Sequence, residues 1–159
     1  RGEGRGAGAA AVGSMRHRMA IAVLALLGLL ASVYLLLYKM GIVGSLVCGG
    51  SGACERVQDS PYAVFLGIPV AVYGVGGFGV LLVVALAGLG ERWGTDPRPS
   101  QLLAVLSGIG VLFAIYLTYL EVAVIHDICK WCVAIAVMIM SIFVVAVLGV
   151  RAIRTAPTP

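Results

Sequence analysis

The chain has 159 residues, 61% of them hydrophobic and 11% charged, with a mean hydropathy of +1.08. One soluble domain of this size cannot hide that much apolar surface, so the expected class is an integral membrane protein. The net charge of +4 does not point to nucleic acid, because the basic residues gather at the ends of apolar runs, where orientation in a membrane accounts for them.

Residues 1–18 are rich in Gly, Ala and Arg without an apolar period and are expected to form a disordered tail. The run over 19–40 is long enough to cross about 30 Å of hydrocarbon. It is too long for the apolar core of a cleaved signal peptide, and no Ala-x-Ala-like site follows it. An outer loop over 41–67 carries Cys48-Gly49-Gly50-Ser51-Gly52-Ala53-Cys54. Within it Ser60-Pro61 reads as a helix start, serine as cap and proline at the first helical position. Pro69 then disfavours helix at Ile68. A short surface helix is therefore predicted over 61–66 and a second span over 68–89. A polar loop follows at 91–100, then a third span over 101–121. His126-Asp127 marks the next turn, with Asp127 as the expected N-cap of a fourth span over 129–150, ahead of a polar tail at 151–159. The predicted architecture is an all-α, four-transmembrane-helix bundle with a cysteine-bearing outer loop and a short surface helix before the second span.

Four spans bring both termini to one side, together with Arg1, Arg5, Arg16, Arg18, Arg92, Arg98, Arg151 and Arg154. The other side holds Lys39, Arg56 and Lys130. The positive-inside rule then predicts a multi-pass cell (inner) membrane protein with cytoplasmic termini. Cys48, Cys54, Cys129 and Cys132 fall on the periplasmic or extracellular side, where disulfides persist. Four cysteines allow three pairings, and the spacing does not choose among them.

Cys129-Lys130-Trp131-Cys132 puts two thiols three residues apart, on one face of a helix that starts in water and runs on into lipid. Free amides at that helix start, and Lys130 beside them, favour a thiolate at Cys129. Cys132 lies one turn deeper, nearer a lipid-soluble oxidant. The blander reading is a structural disulfide pinning a helix end, which a second pair on the same side makes less economical. Five small residues separate Cys48 from Cys54, three of them glycine, which suits a mobile loop that shuttles electrons to Cys129. The rival is a plain disulfide loop. Structural zinc is set aside for want of a compact zinc-binding core. Trp131, Tyr38 and Tyr119 fit an interfacial aromatic belt. Phe113 and Tyr116 lie deeper in the third span and read first as packing. Glu121 closes that span at the water boundary, with a solvated or helix-packing role. His126 reads as a cap or interfacial residue.

Cys48-x5-Cys54, then Ser60, then Phe65-Leu66-Gly67-Ile68-Pro69, and finally Cys129-x-x-Cys132 resemble the vitamin K epoxide reductase (VKOR) family, in its bacterial form, over about residues 20–150. The resemblance implies four helices around a quinone, either ubiquinone or menaquinone, with Cys132 facing it. It implies that Cys48 receives electrons from a thioredoxin-like (DsbA-like) partner. Cys54 would then attack the Cys129–Cys132 disulfide, passing through a Cys54–Cys129 bridge. Ser60 would support the site, and Phe65, Phe113 and Tyr116 are the further quinone-contact candidates. Many bacterial members carry a fused thioredoxin-like domain; this sequence ends at Pro159, so the partner is expected to be a separate protein or to lie beyond that residue. Vertebrate members carry a tyrosine four residues after the last cysteine, whereas this chain has Ala136, which points away from vitamin K epoxide as substrate. DsbB-type enzymes carry their C-x-x-C in the first outer loop, the reverse of the order here. The expected function is a thiol:quinone oxidoreductase supporting disulfide formation. The alternatives are epoxide or quinone reduction as the biological output, or a non-enzymatic, disulfide-stapled membrane scaffold.

Overall fold

The computed structural model describes residues 3–90 and 96–155. Helix α1 runs over Glu3–Lys39 and the short α2 over Ala53–Asp59. A single 3-10 turn at Pro61–Ala63 leads into a hairpin of two-residue strands, β1 (Val64–Phe65) and β2 (Ile68–Pro69). Helices α3 (Val70–Ala87), α4 (Arg98–Tyr119) and α5 (Lys130–Thr155) complete the chain, with a π-helical turn at Leu120–Ile125 after α4. The four segments long and apolar enough to cross a membrane are Met15–Lys39, Val70–Ala87, Arg98–Ile125 and Lys130–Arg154. The protein is a multi-pass membrane bundle.

Helix α1 is the spine of the bundle, packed on α3 along one flank and on α5 along the other, while α4 packs mainly on α5. The α3–α4 seam is the loosest of the four. Small residues let the helices approach where hydrophobic burial gives little drive, because lipid is as apolar as the partner helix. Gly28 of α1 accepts the Phe78 ring of α3 where any Cβ would overlap it, and Gly110 of α4 leaves room for Ile139 of α5. The core along these contacts includes Ile21, Ala25, Leu81, Leu103 and Ile142.

Several local expectations change. The region expected as a disordered tail over 1–18 is helical from Glu3 onward. Alanine has the best helix propensity, and extending an already formed span avoids the cost of nucleation. Helix α5 likewise carries on to Thr155, into the segment read as polar tail. The short helix ahead of the second span is present, but at Ala53–Asp59 rather than 61–66. Ser60 ends it, its Oγ donating to the Val57 carbonyl at 2.7 Å, instead of starting the next helix. The expected helix over 61–66 is instead the 3-10 turn and strand β1, because the chain reverses at Leu66 and Gly67, both left-handed (φ 52° and 81°), and pairs Phe65 with Ile68. Arg1, Arg92, residues 91–95 of the expected loop and 156–159 of the expected tail lie outside the described residues.

The end of the bundle opposite the cysteines is closed by Arg18. It sits on α1, 2% exposed, at a position read from sequence as tail. Its guanidinium donates to the Gly88 carbonyl at the end of α3. It also donates to the Asp96 carbonyl at 2.8 Å and to Ser100 Oγ at 3.2 Å at the start of α4. One side chain on α1 thus satisfies acceptors on both helices of the loose seam. Arg18→Ala removes the donors from buried acceptors and is expected to lower stability by about 1–3 kcal/mol. Thermal unfolding in detergent reads this, and an unchanged midpoint would show that the clamp contributes nothing.

Candidate functional site

All four cysteines gather at one end of the bundle. Cys48 and Cys54 are joined, with Cα atoms 6.1 Å apart, and Cys129 and Cys132 are free thiols. Cys54 and Cys129 are each 0% exposed and belong to one buried cluster with Cys48, Leu46, Val57 and Ala71. Within the Cys48–Cys54 loop, Gly49, Gly50 and Gly52 all have positive φ. The turn needs these glycines for its conformation, a local reason for them besides mobility.

The loop is stitched to the start of α5. Trp131 Nε1 donates to the Val47 carbonyl at 3.1 Å, and the Val47 amide donates to Tyr34 Oη at 3.2 Å. The Tyr34 and Trp131 rings lie 4.9 Å apart. Arg56 on α2 forks onto the Asp127 carboxylate at 2.6 and 2.7 Å. Asp127 therefore does not cap α5. That position falls to Cys129, immediately before Lys130, where its Sγ accepts the Cys132 amide at 3.4 Å. A side chain accepting the third helical amide is ordinary N-cap geometry, here made by a thiol. The Cys129 thiol is held below the ordinary thiol range, chiefly by a hydrogen bond from the Cys132 thiol. Burial opposes the shift and the helix-start amides assist it.

Two residues that drew no functional reading from the sequence belong to this site. Glu121, expected at the water boundary, is 5% exposed. Its Oε2 accepts the Cys129 amide at 3.2 Å, and its carboxyl also neighbours the Cys132 thiol. The π-helical turn and the left-handed His126 after it (φ 61°) route the chain so that Glu121 faces back to α5. Gln58, on the last turn of α2, donates from Nε2 to Cys132 Sγ at 3.5 Å. Lys39 Nζ anchors the backbone there by donating to the Gln58 carbonyl at 2.7 Å. A polar residue spaced four from Cys54, and an acid eight before Cys129, were the available signals.

Below the cysteines lies an apolar cavity of about 510 Å³. Cys132, Glu121 and Gln58 line its upper wall, while Phe65 and Phe113 form an aromatic side, their rings 5.7 Å apart. Tyr73 Oη donates to the Phe65 carbonyl at 3.1 Å and so holds the hairpin over the cavity. Gly76, Val80 and Ile109 line the cavity and are also exposed on the α3 and α4 surfaces, so it opens laterally at the loose seam. Of the quinone-contact candidates, Cys132, Phe65 and Phe113 line this cavity. Ser60 borders only a small adjoining niche that Cys132, Gln58 and Glu121 share. Tyr116 lies outside both, its ring 6.3 Å from that of Phe65. Ala136, where vertebrate members carry tyrosine, is on the wall. The arrangement places the Cys132 sulfur on the wall of a laterally open cavity and buries Cys129 in one cluster with the loop disulfide.

Compared with known protein families, residues 19–147 match the vitamin K epoxide reductase family. The match takes in all four cysteines and reaches into every span.

The Arg56–Asp127 pair carries a pH signature. The hydrogen bonds from Arg56 hold the Asp127 carboxyl below its ordinary range. A group with a depressed folded pKa contributes fully above its unfolded value and loses that contribution as pH falls through the folded one. Hydrogen-exchange protection of the α2 amides is thus expected to fall in acid, below the ordinary carboxylate range. In Asp127→Asn it should be low already at neutral pH, with the spans unaffected. Identical acid profiles for the two proteins would remove the pair from the account of loop docking.

Proposed function

The chain belongs to the vitamin K epoxide reductase family, which makes it a membrane oxidoreductase working through cysteines, and we propose that it is a thiol:quinone oxidoreductase that reoxidises a thioredoxin-like (DsbA-like) protein. The observation that carries this reading is the division of the C-x-x-C pair. Cys129 is buried in one cluster with Cys54, and Cys132 is on the wall of a cavity open towards lipid.

The exchanges balance as follows. The partner's dithiol reduces the Cys48–Cys54 disulfide through attack on Cys48 and leaves oxidised. Cys54 then attacks Cys129 of an oxidised C-x-x-C pair, forming a Cys54–Cys129 bridge and releasing the Cys132 thiolate. Cys48 attacks Cys54, restoring the loop disulfide and leaving Cys129 and Cys132 reduced. The structure's combination of a joined loop pair and a free C-x-x-C pair corresponds to this last state. A bound quinone would supply the acceptor for two electrons and two protons. The cavity suits such a group by its size, its apolar wall and its aromatic side, and Ala136 leaves space where a vertebrate-like tyrosine would intrude. That space favours quinone reduction over vitamin K epoxide chemistry. The charge bias of the chain supports cytoplasmic termini in a cell (inner) membrane, with the cysteines on the oxidising side.

Within this scheme Glu121 has a defined task. Oxidising a dithiol releases two protons in a place with little water. The Glu121 carboxyl, beside the Cys132 thiol and on the Cys129 amide, can hold one of them. Gln58, donating to Cys132 Sγ, holds that sulfur on the cavity wall.

With reduced partner and a short-tailed ubiquinone, Cys129→Ala and Cys132→Ala are expected to abolish quinone reduction. Full activity in either would end the proposal. Glu121→Gln keeps an acceptor for the Cys129 amide but cannot take a proton. Turnover is expected to fall at least about a hundredfold with KM little changed.

A further inference from the structure

Ser32 lies on α1 about 10 Å below its C-terminal end, by the rise of an α-helix. It is 1% exposed, and among the described residues its hydroxyl has no hydrogen-bond partner. That is unusual for a serine in a membrane span, which ordinarily bonds back to a carbonyl one turn earlier. Two other span serines do so. Ser107 donates to the Leu103 carbonyl at 2.6 Å, and Ser141 to the Val137 carbonyl at 2.8 Å. Ser32 leaves the corresponding bond on its own helix unmade.

Its surroundings indicate where a partner would come from. Ser32 lines the apolar cavity, and Gly74 of α3 faces it there. A Cβ at position 74 would fall 2.6 Å from Ser32 Oγ. Glycine at 74 thus makes room for the Ser32 side chain where α1 and α3 meet on the cavity wall, and any larger residue would crowd the hydroxyl. The other polar side chains on the wall are engaged elsewhere or exposed. Gln58 donates to Cys132, Tyr73 to the Phe65 carbonyl, Glu121 accepts from Cys129, and Thr118 is exposed. Ser32 is left as a buried, cavity-lining hydroxyl with no partner among the described residues, a disfavoured state.

A ligand suited to this cavity is mostly apolar and carries polar atoms in two places, one near Cys132 and one near Ser32. A quinone ring has two carbonyl oxygens on opposite edges. Each accepts and neither donates, so the hydroxyl must be the donor. Resting on the quinone reading above, we propose that Ser32 donates a hydrogen bond to the quinone carbonyl farther from Cys132. It is a positioning residue: it sets the orientation of the ring and leaves the nearer carbonyl to the thiol, Gln58 and Glu121.

The test uses the full chain in lipid nanodiscs with a short-tailed ubiquinone, comparing wild type with Ser32→Ala. Losing one neutral hydrogen bond is expected to raise KM for the quinone about two- to tenfold, with a smaller change in kcat. With isotope-labelled carbonyls, infrared difference spectra of the bound quinone should show one carbonyl stretch lowered in wild type and restored towards the free frequency in Ser32→Ala. Without quinone, the melting temperature of Ser32→Ala should not fall, because the variant deletes a hydroxyl that bonds to nothing. A merely structural serine would instead lower it. Unchanged KM and unchanged carbonyl bands in Ser32→Ala, as for a hydroxyl satisfied by water, would overturn the assignment. So would a loss of quinone-free stability with no spectral change. Failure of the underlying reading looks different, since wild type itself would then neither bind nor reduce the quinone.

Discussion

The first turn of a helix has amides with no partner inside the helix, and in a buried setting they need acceptors from elsewhere. At the start of α5 these acceptors are themselves reactive groups. The Cys129 thiol takes the Cys132 amide, and the Glu121 carboxylate takes the Cys129 amide. The requirement that shapes the helix end therefore also positions the Cys129 sulfur and the Glu121 carboxyl, because the bonds that satisfy the backbone hold both. The rest of the upper structure depends on this. Helix α2 brings Gln58 to the Cys132 sulfur and Cys54 into the buried cluster that holds Cys129, and the Arg56–Asp127 and Trp131–Val47 contacts keep the loop seated on the turn.

The bundle below is built asymmetrically. Helix α1 packs closely on α3 and α5 through small residues such as Gly28, while α3 and α4 meet loosely. The loose seam is where the cavity opens, so the site is reachable from the side without parting the main contacts. At the far end Arg18 ties the same two helices together. The seam is thus closed at one end and open beside the cavity.

Much of this was legible in the amino-acid order. Span length and apolarity report directly on bilayer thickness, and the paired cysteines stand out because so few other residues in the chain carry chemistry. What could not be read depends on tertiary partners. Asp127 looks like a helix cap until Arg56, far away in sequence, takes its carboxylate. Helix α2 is too short to show an apolar period, and Ser60-Pro61 matches a helix start although the serine closes the preceding helix. Arg18 reads as tail because its acceptors lie on other helices. Glu121 reads as solvated because, at α-helical spacing, an acid at the end of a span faces water.

The turn that overrides this spacing has a further consequence. A π-helical turn is equivalent to one residue inserted into an α-helix, and one residue rotates everything beyond it by about 100°. The carboxyl at Glu121 therefore meets the Cys129 amide because of the number of residues between them as much as because of their identity. Substitutions within Val122–Ile125 leave that count unchanged, whereas losing a single residue there would shorten the path by which the chain returns from Glu121 to Cys129 while keeping both side chains present. At this point the site is encoded as chain length.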